Sequence, residues 1–179
     1  MEAKIEASNR WRLDALGAHW IAFGVFTVLS LILTYPLVKD LGSKVLGPPA
    51  PGDNFEYIYK IWWVKYALFD LHVSPFFNPN MFYPFGYHVT LSETTLSNTI
   101  LALPLTVFFG EVIAYNSMMF ISFVLSGLAM YLFVLQLTAS RIAGLLSGIV
   151  FAYNPYRIAH LGAGHLPLLG TQWLPLLFF

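Results

Sequence analysis

Asn98-Thr99-Ile100-Leu101-Ala102-Leu103-Pro104-Leu105-Thr106-Val107-Phe108-Phe109-Gly110-Glu111-Val112 decides how the rest of this chain is arranged. Its apolar core is about fourteen residues long, with a proline inside and a glycine at its end, a length that suits a re-entrant or interfacial segment better than a crossing. If it does not cross, everything on either side of it in the same outer region stays on one face of a membrane. If it crosses, the later histidines move to the side opposite the earlier acids. The expectation is that it does not cross.

That a membrane is involved follows from composition. The chain of 179 residues is 58% hydrophobic, 17% aromatic and 10% charged, with a mean hydropathy of +0.67, whereas soluble domains are about a quarter charged. Zero net charge counts against a nucleic-acid partner, and the absence of cysteine removes disulfides and thiolate chemistry. After Glu111 the only formally charged side chains are Arg141 and Arg157. A charge left in hydrocarbon costs roughly 2.5–3.5 kcal/mol on the mildest scale, so both should mark membrane edges or functional interiors.

Working outward toward the N-terminus, residues 39–113 read as a long outer loop of juxtamembrane and re-entrant helices. From Asn54 to Leu71 the positions Phe55, Ile58, Trp62, Tyr66 and Phe69 recur at helical spacing, and Glu56 and Lys60 form an i,i+4 pair. Such an aromatic helix suits the interface plane. Ser74 to His88 is rich in proline, asparagine and aromatic residues, which predicts turns held by packing and interface anchoring. Residues 18–38 have the roughly twenty residues a crossing needs, closed by Pro36. Residues 1–17 carry Lys4, Arg10 and Arg12, with Trp11 and Trp20 suited to the headgroup level; this favours a cytoplasmic N-terminus on an uncleaved signal anchor.

Toward the C-terminus, 114–138 reads as a second crossing, Arg141 as a cytoplasmic turn and 141–156 as a third crossing. The third carries Gly144-Leu145-Leu146-Ser147-Gly148, a small-x-x-x-small pattern that lets helices approach closely. Residues 157–165 read as an outer polar hinge, and 166–179 as a truncated fourth crossing with no polar stop, so the chain reads as the N-terminal piece of a longer protein. The fold expected is all-α, a polytopic transmembrane helix bundle with interfacial helices after the first span. Asp53, Glu93, His160 and His165 then share the outer face.

Among these, Asp53 and Glu56 read as a capping box at a helix start; capping and chemistry can coexist, because a helix N-terminus also favours bound phosphate. Glu93 precedes another helix start. His160 and His165 are five apart, a spacing that matches no standard zinc motif, and hydrogen-bonding roles in a loop compete with ligation. Arg157 could snorkel or pair with a lipid phosphate.

The order of a first span, Gly52-Asp53-Asn54 with Tyr57, Trp62 and Trp63, then Phe82-Tyr83-Pro84-Phe85-Gly86, and later Ala152 to His160 and Thr171-Gln172-Trp173-Leu174-Pro175, resembles the C superfamily of multi-spanning membrane glycosyltransferases over nearly the whole chain. The resemblance implies a sugar donor on a polyprenyl phosphate, an acceptor at the outer face of a bacterial inner membrane, and the first-loop aspartate, Asp53, as general base. It offers Arg157, Lys60 and Tyr57 for the donor phosphate. It also places Glu93, His160 and His165 where members of the superfamily have acids or histidines that hold a metal, here Mg or Mn, or the leaving phosphate. The rival readings are a non-enzymatic membrane protein that binds or moves lipids, and a structural membrane subunit. The polar residues cluster in outer loops and not at midspan, which favours surface chemistry over transport.

Overall fold

A computed structural model describes residues 2–49, 52–91 and 96–179, with side chains for 17–49, 52–90 and 96–179. The chain is mostly helical. In order it forms α1 (Glu2–Thr34), α2 (Asp53–Lys65), a two-stranded ribbon of β1 (Phe77–Asn78) and β2 (Tyr87–His88), then α3 (Leu96–Phe109), α4 (Glu111–Thr138), α5 (Arg141–Ala152), α6 (Pro155–Ala163), α7 (Leu166–Leu169) and α8 (Trp173–Phe178). Among the described residues, two helical stretches are long and apolar enough to cross a membrane: Gly17–Thr34 within α1, 18 residues, and the whole of α4, 28 residues.

The remaining apolar helices are short for a reason visible in their residues. α3 has 14 residues and contains Pro104, which removes one backbone donor, and Gly110 stops it at φ +86°. The helix predicted around 98–112 is thus present at the length read from sequence. α5 has 12 residues, about 18 Å at 1.5 Å per residue, against a hydrocarbon core of roughly 30 Å. It starts on Ser140, whose hydroxyl accepts from Ala143 N at 3.3 Å, and ends at Ala152, so the stretch 141–156 read as a third crossing is interrupted before Pro155. Residues 157–165 are not a hinge loop: most of them are α6, which opens with proline at its first position, where no backbone donor is needed. Residues 166–179 hold two short helices, α7 and α8, separated at Gly170-Thr171-Gln172.

The chain divides into two compact units. One holds the chain through Leu33, Phe123–Asn154 and Gln172–Phe179; the other holds Thr34–Ser122 and Pro155–Thr171. In the first, the small-x-x-x-small pattern works as read: Gly144 and Gly148 are buried. A Cβ on Gly148 would stand 2.6 Å from Gly127 O and 2.5 Å from the Phe26 ring. Tyr153 closes the same unit by donating to Phe26 O at 2.7 Å.

In the second unit α2 packs on α3. α2 buries Asn54, Tyr57, Lys60, Ile61, Trp63 and Val64, and α3 turns inward the small and polar face Asn98, Ala102 and Thr106. The helical stretch continues past α2 as a π turn, Tyr66–Asp70, bridged by Lys65 and Asp70 at 3.1 Å. The helix read from Asn54 to Leu71 is therefore one continuous rod.

Candidate active site

The site is built in the second unit from a loop, a helix start and a helix end. The loop between α1 and α2 is held from α4: Asn116 Nδ2 donates to Leu41 O at 2.8 Å and Lys44 O at 2.7 Å, and its Oδ1 accepts from Leu46 N at 3.2 Å. Asn54, fully buried, donates to Pro48 O at 3.2 Å. These contacts pin the first turn of α2 and leave the neighbouring carboxylate of Asp53 facing outward, 59% exposed.

The capping box expected here does not form. Gly52 is the N-cap, with extended backbone, and no side chain caps the helix. Asp53 is the first helical residue. Glu56 turns the other way, to Lys60 Nζ at 2.5 Å, so it cannot reach back. Gly52 lies against Asn54 Oδ1 and Pro48, leaving no room for a Cβ, so the N-cap position itself has no side chain to offer.

The other half of the site comes from the end of α6. Gly164 takes φ +76°, Gly164 N donates to Leu161 O at 3.1 Å and His165 N donates to His160 O at 3.0 Å. This pair of bonds is the Schellman ending, which brings the residue two past the helix C-cap beside the residue three before it. Those two residues are His165 and His160. Their rings meet with Nδ1 to Nδ1 at 2.8 Å. His165 Nε2 lies 3.1 Å from Asp53 Oδ2, and the Tyr156 ring meets the His160 ring edge-on at 4.3 Å.

Gly164 also sets the approach. A Cβ there would stand 2.7 Å from Asn54 Cβ, and its carbonyl accepts the Tyr115 hydroxyl at 2.7 Å. The close contact of Gly164 with Asn54 carries His165 to Asp53. An ionised carboxylate can only accept, so in this contact His165 Nε2–H is the donor to Asp53 Oδ2. The facing Nδ1 atoms share one hydrogen bond, and the three side chains form a connected chain, His160, His165 and Asp53.

Asp53, His160 and His165 are thus brought together, while Glu93 lies outside the described residues. The two imidazoles use their facing nitrogens on each other, and among the described residues no group of three or more His, Cys, Asp or Glu is arranged to hold a metal. Arg157 is 1% exposed, and its Nη2 donates to Leu169 O at 2.8 Å and Ser122 O at 3.2 Å. That position is neither a snorkelling one nor one open to a lipid phosphate. Tyr57 is buried, and Lys60 is buried too, its ammonium near the Tyr57 ring at 5.3 Å.

The positioning residues Asn54, Tyr115, Asn116 and Tyr156 were not singled out from sequence, and single polar residues inside apolar helices give little to find them by. The histidine pair did leave a signal: His160, then Gly164 followed by His165, is the spacing of a helix ending in left-handed glycine. No family model matches this chain, and no curated protein or solved structure matches it.

Proposed function

We propose that this chain is part of a multi-pass membrane glycosyltransferase of the C superfamily, taking a sugar from a polyprenyl-phosphate donor to an acceptor hydroxyl at the outer face of a bacterial inner membrane. The observation that carries the reading is Asp53, a solvent-facing carboxylate at a helix start whose second oxygen is held by His165 at 3.1 Å. A carboxylate so held can take the acceptor proton as the acceptor oxygen bonds to the anomeric carbon. The bond from that carbon to the donor phosphate breaks, and the phosphate leaves with the electron pair. General-base catalysis of this kind contributes typically 10²- to 10⁴-fold. The two long apolar helices support the membrane setting, and the short ones α3 and α5 fit its re-entrant and irregular segments.

The test uses the intact protein in membranes. Asp53→Asn keeps an acceptor for His165 Nε2 but loses the base, so expression and donor binding should persist while turnover falls by about 10² or more. Turnover equal to wild type would remove Asp53 from the chemistry.

A second reading, a non-enzymatic lipid-binding protein, is favoured by an open apolar cleft of about 460 Å³ in the first unit, lined by Met130, Val134, Leu146, Ser147, Val150 and Phe151. On that reading Asp53→Asn leaves lipid binding intact and no sugar transfer is found in either protein.

A further inference from the structure

In the second unit two groups of aromatic residues that lie near each other in sequence take opposite positions. Tyr59, Trp62, Trp63, Tyr66 and Tyr87 pack with Ala67 and Val89 into one cluster, in which Trp62 stacks on Tyr66 at 4.9 Å. Phe82, Tyr83 and Phe85 do the opposite: they are 68%, 85% and 87% exposed, at the tip of the loop joining β1 to β2.

That tip is rigidly mounted. β1 and β2 pair antiparallel, Phe77 opposite His88 and Asn78 opposite Tyr87. Asn78, fully buried, donates to Tyr59 Oη at 2.6 Å and accepts from Asn80 N at 2.9 Å. Trp63 Nε1 donates to Pro75 O at 2.9 Å, tying the base of the ribbon to α2. Gly86 has φ +74°, and a Cβ there would collide with the Phe77 ring, so the ribbon closes over glycine. Three large apolar rings are therefore held out on a fixed support, with their ordering cost already met by the fold.

We propose that this loop is a membrane-inserting finger, its rings seated at the boundary between headgroups and acyl chains. The inference rests on the membrane part of the reading above, not on the transferase chemistry. Residues 71–92 contain no Asp, Glu, Lys or Arg, so nothing in the segment opposes entry into the interface. A protein partner or a sugar would need polar groups to fix its orientation, and the tip offers little beyond Asn80 and the Tyr83 hydroxyl. Tyr83 between two phenylalanines suits a boundary that is apolar on one side and wet on the other. The same unit contains Thr34, the last residue of α1, and Glu111–Ser122, the first turns of α4. It is therefore joined to both of the helices that are long enough to cross. The finger, and not the stripe of α2, is the element that enters: Phe55 and Phe69 are exposed at the two ends of that rod, but Ile58 and Trp62 between them are half-buried.

The chain has no cysteine, so Phe82→Cys, Tyr83→Cys and Phe85→Cys each give a unique site for a nitroxide. The whole protein, reconstituted in vesicles of phosphatidylcholine and phosphatidylglycerol, is floated on a density gradient. Label depth is then read by power saturation with oxygen and a water-soluble nickel chelate, calibrated on spin-labelled lipids. The expected result is loss of most nickel collisions at all three positions, with oxygen collisions retained. Protein that floats with the vesicles but keeps full nickel access at the three sites overturns the finger and leaves the membrane reading standing. Spectral broadening that disappears on dilution with unlabelled protein overturns it in favour of a second copy as the occupant. Failure to float overturns both. All three side chains are largely exposed; Phe82 alone meets a ring of the packed cluster, Tyr87 at 5.2 Å, so far-UV circular dichroism of each variant should match wild type, and the Tyr83 and Phe85 variants carry the test should Phe82→Cys not.

Discussion

Gly164 shows how much one residue can decide. It ends α6 in a left-handed turn and touches Asn54 and Tyr115 where a Cβ would lie 2.7 and 2.9 Å away. An L side chain in that conformation costs roughly 1–2 kcal/mol before any clash. Gly164→Ala should therefore lower stability by about 1–3 kcal/mol, read as a lower thermal midpoint in detergent, and draw His165 away from Asp53. A midpoint equal to wild type would show that the turn relaxes freely and that the helix end does not set the pair. Arg157 makes the complementary point. From sequence it stood between a snorkelling anchor and a partner for a lipid phosphate, at a membrane edge or in a functional interior; the structure buries it, with Nη2 donating to two backbone carbonyls.

At the level of elements, the helices obey their sequences where the pattern is dense. The rod from Asp53 to Asp70, the Glu56–Lys60 pair and the close approach of α5 to α4 through glycine were all legible, because each depends on neighbours within one or two turns. The close approach can be tested directly. Gly148→Ala puts a methyl group against Gly127 O, which is backbone and cannot swing away, and against the Phe26 ring. Overpacking of this kind costs typically 1–3 kcal/mol, so thermal unfolding of the variant in detergent should come earlier. An unchanged midpoint would mean that the two helices separate at little expense. α6 was missed for an opposite reason: His160, Gly162 and Gly164 made the segment look like a hinge, whereas its inward face, Arg157 and Leu161, is fixed by packing.

For the molecule as a whole, the site requires Asp53 and the end of α6 to lie on one side of the membrane. A 14-residue α3 that stays in the interface meets half of this; the other half is a return of the chain to the outer face after α4. Single cysteines at positions 56 and 162 should then both react with an impermeant thiol reagent added to intact cells. Reaction at only one of them would mean that α3 crosses, or that the chain does not return to the outer face after Arg141, and the contact between Asp53 and His165 would have to be abandoned for the membrane-bound protein.

Sequence alone determined that this chain is rich in apolar helix, where its two long apolar helices lie, and that a carboxylate stands at the start of an aromatic helix. Those are properties of composition and of spacing within a few turns, which the chain carries locally. Only the tertiary structure decided that Asp53 faces His165 and His160, that Arg157 is enclosed, and that Phe82, Tyr83 and Phe85 are left on the outside. Each of these depends on which distant surfaces can approach, here through Gly164 against Asn54 and Gly86 against Phe77. No local pattern records what a missing side chain will be pressed against.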